Sequence, residues 1–331
     1  MATIKDVAKL AGVSPSTVSR TLTNRIFVEE ETRQKVLKAV AELNYQPSSL
    51  ARGLREGKTQ MLAFLVPDIN SLFYPMMMKS IERYATEKGY SLILCNNDEK
   101  IENEKKNIGM MGARGIDGLL CMSVEDDVRH LEEFQRERGI PVILVNRMVS
   151  EQLTSVSFDD EYGGYLMTKY LLDHGHTKIA AMFGGFGRQR FRERWMGCKR
   201  AMEEYGITDY DHYFIYDVNS IEEAFQRTKE ILEGEDRPTA FFATMDILAI
   251  GIYSGISFCG CRIPDDISLV GFDNIFMAQY MVPPLTTYAP PIDDVARESM
   301  ECLLAQLNDP TLIRNISLKG ELIERQSVRH L

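Results

Sequence analysis

The opening stretch TIKDVAKLAGVSPSTVSRTLT, at residues 3–23, constrains the fold more than any other part of the chain. Thr3 and Asp6 have the spacing of a capping box, in which two side chains bind each other's backbone amides at a helix start. Apolar residues then recur at helical spacing until Gly12, and glycine commonly ends helices. The pattern predicts a first helix over about residues 4–11.

A second short helix is predicted directly after a tight turn. Ser14 is a favoured N-cap residue, and Pro15 suits the first helical position because its φ is already helical. This helix covers about residues 15–23, with Val18 and Leu22 facing inward. Two short helices joined by a glycine-containing turn are typical of a helix-turn-helix.

A third helix is predicted after the acidic run VEEE, because carboxylates are favourable at the positive end of the helix dipole. Its expected buried stripe is Val36, Leu37, Val40 and Leu43. Such a unit can place its second helix in the major groove of DNA, although spacing alone would also allow a small helical bundle that binds protein. The candidate DNA contacts in this unit are Thr3, Ser14, Pro15, Ser16, Thr17, Ser19, Arg20 and Arg25.

The charge distribution agrees with DNA binding by this part of the chain. Residues 1–58 contain ten Lys and Arg against six Asp and Glu, a net charge of +4, whereas the whole chain has −10 and the remainder therefore −14. Phosphate neutralisation needs positive charge only where DNA is contacted. A basic head on an acidic body indicates a DNA-binding module attached to a sensor.

The stretch QPSSLARGLREGKT, at residues 46–59, is basic and follows the third helix. A helix opened by Pro47 would have about nine residues, fewer than the roughly 12–15 at which isolated helices become marginally stable. Gly53 in its interior costs ~1 kcal/mol relative to alanine. Without a partner the stretch should not stay helical, and a basic linker is the alternative.

The chain is similar to the LacI/GalR family of lactose- and purine-repressor relatives. The strings TIKDVAKLAGVSPSTVSRTLTN and VEEETRQKVLKAVAELNYQPSSLARGL carry the resemblance, which continues to the C-terminus. It implies a helix-turn-helix domain over 1–46, a hinge helix over 47–58 and an effector-binding and dimerisation domain over 59–331. In this family the hinge helix orders when two protomers bind an operator, and a leucine enters the minor groove. The hinge residues thus assigned to DNA are Leu50, Ala51, Leu54 and Arg55.

From residue 61 onward, short apolar runs alternate with helical stretches, which predicts βαβ units and parallel sheet. The runs form two series, MLAFLV (61–66), YSLILC (90–95), GLLCM (118–122) and PVILV (141–145), then KIAAMF (178–183), YFIYDV (213–218), TAFFAT (239–244) and SLVGF (268–272). The resemblance implies the two-lobed periplasmic-binding-protein type I fold with three crossovers. The first lobe would comprise about 59–160 and 291–322, and the second about 161–290 and 323–331.

Residues that follow the strands are the candidates for an effector site, because ligands bind at the carboxyl ends of parallel strands. Phe73 and Tyr74 match the family's paired aromatics, which offer flat faces to a sugar or base but could also pack inside the lobe. Asp273 lies in GFDN, a familiar family string, and a fixed carboxylate can accept two sugar hydroxyl groups. The remaining candidates of this kind are Asn146, Arg147, Asp160 and Asp246.

Four arginines occur in GGFGRQRFRERW, at residues 184–195. Arg194 matches the family's effector-clamping arginine, and Arg188 matches a pocket position. Arg190 and Arg192 are either further cleft charges or solvated side chains at a helix start. Guanidinium groups suit carboxylate or phosphate, so the expected effector is a sugar or an anionic sugar derivative. Asn219 stands where the purine repressor has a stacking aromatic, which favours a sugar-like ligand.

Other motifs carry little chemistry. GGFG lacks dinucleotide-loop spacing, and His174-Gly175-His176 lies in a predicted helix-to-strand turn. No nucleophile–base pair stands out, so we expect a regulator rather than an enzyme, with no metal and no cofactor. The rival interpretation is a solute-binding or sugar-processing protein of the same two-lobed fold. The basic head and the lack of a signal peptide argue against transport.

The cellular setting and the assembly follow from similar observations. No run approaches the 18 apolar residues of a membrane span, and the six cysteines are scattered, as expected for free thiols in a reducing compartment. A cytoplasmic protein without membrane contact is therefore expected. The C-terminal ELIERQSVRHL lacks leucine heptads, so we expect a homodimer rather than a tetramer.

Overall fold

A computed structural model describes residues 2–23, 27–45 and 58–331. The chain divides into two compact units, Met1–Gln60, called the head, and Met61–Leu331, called the body. The predicted hinge contacts and one head contact lie outside the described residues; they are Arg25, Leu50, Ala51, Leu54 and Arg55.

The described residues of the head form three helices, which are α1 (Ile4–Ala11), α2 (Pro15–Thr23) and α3 (Glu30–Glu42). The predicted capping box is present, since the Thr3 amide donates to the Asp6 carboxylate at 2.8 Å and the Asp6 amide donates to the Thr3 hydroxyl at 3.4 Å. Gly12 ends α1 with a φ of +65°, in the left-handed region that favours glycine. The predicted first two helices are therefore confirmed.

The head buries a small apolar core formed by Val7, Ala8, Val18, Val36 and Ala39. The expected stripe of α3 was wrong at Leu37, which is 40% exposed. At 100° per residue, Ala39 and Val40 lie above Val36 on the inward face, and Leu37 falls on the flank of the helix.

The body is built from twelve strands and eight α-helices. The strands are β1 (Met61–Val66), β2 (Ser91–Asn96), β3 (Gly118–Cys121), β4 (Val142–Val145), β5 (Thr154–Phe158), β6 (Ile179–Met182), β7 (Phe214–Ile215), β8 (Ala240–Ala243), β9 (Ser268–Phe272), β10 (Thr286–Ala289), β11 (Asn315–Leu318) and β12 (Glu321–Ile323). The helices are α4 (Tyr74–Glu87), α5 (Ile101–Ala113), α6 (Arg129–Arg138), α7 (Asp160–Asp173), α8 (Gln189–Glu204), α9 (Ile221–Glu233), α10 (Asp246–Phe258) and α11 (Ile292–Gln306).

Two six-stranded sheets define two lobes. In the first lobe the strand order is β11-β5-β4-β3-β1-β2, and every neighbouring pair is parallel. In the second lobe the order is β12-β10-β9-β8-β6-β7, and only the β10–β12 pair is antiparallel. The predicted α/β architecture with two largely parallel sheets is confirmed.

The chain passes between the lobes three times, after Phe158, after Ala289 and after Leu318. The third passage precedes Glu321, slightly earlier than expected, because β12 already pairs with β10 from that residue onward. The carboxyl ends of the parallel strands therefore face a cleft between the lobes. Among the described residues, no helix is both long and apolar enough to span a bilayer.

Helices α7 and α8 pack backbone against backbone in the second lobe. A β-carbon at Gly164 would lie 2.2 Å from the Arg194 carbonyl oxygen, and one at Gly197 would lie 2.0 Å from the Glu161 carbonyl oxygen. No side chain larger than hydrogen fits at either position. The close approach fixes the start of α7 relative to the middle of α8.

Candidate functional site

The first turn of α2 presents a cluster of hydroxyl groups at the surface of the head. The Ser14 hydroxyl bonds with the Ser16 hydroxyl at 2.7 Å and with the Thr17 hydroxyl at 2.9 Å, and it accepts the Thr17 amide at 3.2 Å. Pro15, Ser16 and Arg20 are exposed, whereas Thr17 and Ser19 are half-buried.

Thr3 differs from the other predicted contacts, because its hydroxyl donates to the Asp6 carboxylate at 2.7 Å and so belongs to the helix cap. Of the candidates on the helix, Ser16 and Arg20 thus combine exposure with side chains that can bond to base edges.

Arg194 lies at the centre of the interlobe cleft. Its Nε donates to the Asp160 carboxylate at 2.6 Å, and its Nη1 donates to the Thr244 carbonyl. The guanidinium lies over the Phe272 ring at 3.6 Å from the centroid, a cation–π contact. Arg194 and Asp160 are both buried. These contacts hold the guanidinium plane in one orientation.

Asp273 faces Arg194 across a short gap, with its Oδ1 4.0 Å from the Arg194 Nη2. Its φ is +115°, a left-handed value that is uncommon for aspartate and typical of strained functional positions. Burial raises the pKa of Asp273 to about 7, although Arg194 and Arg190 oppose the shift. The side chain is therefore suited to exchange hydrogen bonds with a ligand hydroxyl.

Arg190 reaches into the cleft from α8 and is 8% exposed. Its Nη1 donates to the Tyr74 hydroxyl at 3.3 Å, and its guanidinium lies 4.7 Å from the Phe191 ring centroid. No carboxylate of the described residues lies within ion-pair distance of this guanidinium. The alternative of a solvated side chain, open from the sequence, does not hold for Arg190.

Arg147 is a second buried guanidinium, 3% exposed. Its Nη2 donates to the Ser123 carbonyl at 3.0 Å, but its Nε has no partner. Burial, followed by the positive charge of Arg190, lowers the pKa of Arg147 to about 10. Asn146, next to it, is buried with a left-handed φ of +54°.

Two arginines of the same segment bridge the lobes. Arg188 of the second lobe forms an ion pair with Glu99 of the first. Arg192 donates to the Asp126 carboxylate at 2.8 Å and is half-exposed, so neither of these groups is a free cleft charge. Sequence reasoning missed Glu99 and Asp126. Asp126 follows β3 closely, and the strand-end rule applied to that strand would have found it.

Asp246 does not reach the cleft. Its side chain is completely buried, with Oδ1 accepting the Thr287 hydroxyl at 2.7 Å and Oδ2 accepting the Ile275 amide at 2.9 Å. Burial, followed by Asp273, raises the pKa of Asp246 well above its usual range. These contacts brace the turn that carries Asp273, so the structure gives Asp246 a supporting role.

The two predicted aromatics are both buried. Phe73 packs edge-on against Tyr74 and Phe158, with centroids 5.7 and 6.1 Å apart, and still borders a small cavity of about 40 Å³. Asn146, Arg194 and Asp273 border the same cavity.

A larger cavity of about 400 Å³ adjoins it, since Tyr74 and Arg190 line both. Its polar wall includes Glu99, Arg188 and Asn219, and its apolar wall includes Met245 and Ile247. Met245 and Ile247 were not predicted from the sequence. The volume is within the range of small-molecule sites.

Comparison with known proteins identifies the chain. Residues 3–48 match the family described as bacterial regulatory proteins, lacI family, and residues 168–328 match the periplasmic binding protein-like domain. The whole chain is 38% identical over 335 residues to the HTH-type transcriptional repressor PurR of Vibrio vulnificus, with all of both chains covered. This chain is a member of the LacI family. It is a ligand-controlled transcriptional repressor and not an enzyme.

Solved structures agree with the LacI assignment. The Lac repressor dimer bound to operator and the anti-inducer ONPF is 26% identical, with a TM-score of 0.89 over 99% of each chain. A LacI family regulator from Enterococcus faecium with bound ribose is 30% identical, with a TM-score of 0.74 over 82% of this chain and 99% of that one. A CelR–cellobiose complex is 25% identical, with a TM-score of 0.75 over 99% of this chain and all of the other.

Proposed function

We propose that this LacI-family repressor acts in the cytoplasm as a homodimer on a pseudo-palindromic operator, and that a small sugar-like effector in the interlobe cleft sets its operator affinity. The observation that carries the effector assignment is the Arg194 guanidinium, fixed by Asp160 and facing Asp273 at the cavity. A rigid donor fork opposite a carboxyl group suits vicinal hydroxyl groups, which both donate and accept hydrogen bonds.

On the DNA side, α2 enters the major groove, where Ser16 and Arg20 contact base edges. The remaining head and hinge candidates contact the sugar–phosphate backbone or the minor groove. Leu54 is the proposed wedge at the centre of the operator, by resemblance to the family. A wedge shared by two half-sites requires a dimer.

Relatives in the comparison bind several ligand types. The solved relatives carry ribose, cellobiose or ONPF, whereas the curated relatives are named PurR. The proposal of a sugar-like effector here rests on this chain's own cleft. Asn219, exposed at the cavity and bonded to the Asp217 carbonyl at 2.9 Å, provides an amide rather than an aromatic face.

Selection of operator sequences from random duplex DNA by the full-length protein tests the proposal. The expected product is an inverted repeat whose affinity falls steeply with salt, with a logarithmic slope of about −0.9 per phosphate neutralised. An effector identified by thermal shift should change the affinity of that duplex. The variant Arg194→Gln should keep operator binding but lose the effector response, and retention of the response would contradict the assignment of the clamp.

A further inference from the structure

We infer that the effector carries an oxyanion, a carboxylate or phosphate group, and that Arg190 binds this group in the cleft. The inference rests on the proposed function of the cleft as the effector site. It adds a charge requirement that the fixed clamp of Arg194 does not impose.

Arg190 has few partners within the chain. An arginine is always charged, so a guanidinium that is 8% exposed needs compensation by hydrogen bonds or an anion. The described residues supply one neutral partner, the Tyr74 hydroxyl at 3.3 Å, and one aromatic face, that of Phe191. A guanidinium has five donors, so most of its hydrogen-bonding capacity is unused.

The carboxylates nearest to Arg190 are already bonded to other side chains. Asp160 is bonded to Arg194 at 2.6 Å, Asp126 is bonded to Arg192 at 2.8 Å, and Glu99 is paired with Arg188. At the rim, Asp68 accepts the amide and side-chain nitrogens of Asn70, each at 3.0 Å. None of these carboxylates forms an ion pair with Arg190, and Asp160, Glu99 and Asp273 act on its charge only from beyond ion-pair distance.

Two further ionisable side chains, Arg147 and Glu193, lie near Arg190. Arg147 lies close enough to Arg190 to have its own pKa lowered by that charge, so it adds positive potential. Glu193 would offset it, but its carboxyl accepts the Gln189 side-chain amide at 2.6 Å, and burial raises its pKa to about 7. At neutral pH, part of this carboxyl is protonated and carries no charge.

The two cavities and their charged groups define the shape of a suitable ligand. Arg190 lines both the cavity of about 40 Å³ at Arg194 and Asp273 and the adjoining cavity of about 400 Å³. A hydroxylated carbon skeleton against Met245 and Ile247 would place its polar end at the clamp and its anionic end at Arg190. A sugar acid or a sugar phosphate of monosaccharide size has these properties.

Isothermal titration calorimetry on the full-length protein tests the inference with matched ligand pairs. The pairs are D-ribose and ribose 5-phosphate, D-glucose and glucose 6-phosphate, D-glucose and D-gluconate, and D-galactose and D-galacturonate. At least one anionic member should bind about 10- to 100-fold more tightly than its neutral partner, the range expected for a charge-assisted hydrogen bond. The phosphate and carboxylate pairs distinguish the two sources of the oxyanion.

Two variants locate the effect at Arg190. Arg190→Met should remove the preference for the anion, and Arg190→Lys should keep part of it because the charge remains without the fork. Arg200→Met is the matched control, since Arg200 lies on the same helix, is exposed and pairs with Glu161 within the second lobe. Arg200→Met should keep the preference of the parent protein for the anion.

Inorganic phosphate is a probe that needs no sugar. It should raise the melting temperature of the parent protein and of Arg200→Met but have little effect on Arg190→Met. The inference is wrong if no anionic probe binds more tightly than its neutral partner, or if Arg190→Met retains the preference. A protein that selects an operator and responds to a neutral sugar overturns only the anion requirement. A protein that binds anions through Arg190 without any change in operator affinity overturns only the proposed control of operator binding from this cleft.

Discussion

The Arg192 guanidinium of the second lobe donates to the Asp126 carboxylate of the first lobe at 2.8 Å. The same carboxylate oxygen accepts the backbone amide of Gln189 at 2.8 Å. Together with the ion pair of Arg188 and Glu99, these bonds make residues 188–192 a bridge between the two lobes. The arginine-rich segment thus links the two walls of the cleft.

Replacing Arg192 by glutamine should open the cleft more often. The ion pair is partly exposed, so its loss is worth ~0.5–1 kcal/mol, about a two- to fivefold increase in the open population. Hydrogen exchange of the Gln189 amide measures this opening directly, because that amide is bonded to the opposite lobe. Arg200→Gln breaks an ion pair within one lobe and serves as the control. Equal exchange in both variants would show that the bridge does not hold the lobes together.

The stability of the empty protein should depend on pH through Asp273. The pKa of its carboxyl is raised to about 7 in the folded protein, so the folded state binds this proton more tightly than the unfolded chain. The free energy of unfolding therefore falls as the pH rises from about 4 to about 7, and it stays constant with respect to this group above that range. The total change is at most on the order of 4 kcal/mol.

Denaturant unfolding of the parent and of Asp273→Asn at several pH values measures that dependence. The stability of Asp273→Asn relative to the parent should increase between pH 4.5 and pH 7.5. Glu193→Gln should show the same direction, because burial also raises the pKa of Glu193 to about 7. A relative stability that does not change with pH would mean that Asp273 keeps an ordinary pKa.

On DNA, Arg20→Ala should relax base preference at one position in each half-site. A bidentate arginine–guanine contact contributes ~1–3 kcal/mol to discrimination between bases. Lys35→Ala removes the same charge from α3, where Lys35 is exposed and pairs with Glu31 at 2.7 Å, and it should leave base preference unchanged. Binding to all single-base operator variants separates the two effects. An unchanged preference profile for Arg20→Ala would assign readout to other residues.

Two glycine-to-alanine substitutions should have opposite effects on stability. In Gly164→Ala the new β-carbon would lie 2.2 Å from the Arg194 carbonyl oxygen, so α7 and α8 must separate at a cost of ~1–3 kcal/mol. In Gly109→Ala, within α5, no atom lies within 4 Å, so the substitution should stabilise the helix by up to ~1 kcal/mol. Denaturant midpoints test both, and a neutral Gly164→Ala would contradict the tight packing.

The strands that the sequence revealed are the buried ones with continuous apolar runs, such as β1 and β9. Strands β5, β10, β11 and β12 were not predicted. Strand β5 reads TSVSF and is buried along its whole length, so its serines and threonine conceal a central strand. Strand β12 has only three residues and forms by pairing with β10 across a crossover. Such pairing depends on chain segments far apart in sequence.

Within the cleft, the sequence indicated the residue types but not their partners. Arg188 was expected to line the pocket, and Arg192 to lie either in the cleft or in solvent, yet their ion-pair partners precede them by 89 and 66 residues. Asp246 follows a strand as Asp273 does, but the Thr287 hydroxyl and the Ile275 amide occupy its oxygens. Whether such a side chain meets the ligand or supports the fold depends on its burial, and burial depends on the three-dimensional arrangement.

The glycine contact between α7 and α8 separates the effector site into two parts. The geometry of one part is fixed by the main chain, and the other part can change. Asp160 begins α7 and Arg194 lies on α8, so main-chain contact at Gly164 sets their mutual position independently of any side chain that meets the ligand. Residues 188–192, about one helical turn earlier, are held instead by bonds to side chains of the first lobe. Substitutions there can alter which ligand is accepted while the clamp stays intact, so a repressor of this type can acquire a new effector in few mutational steps without losing its ability to fold.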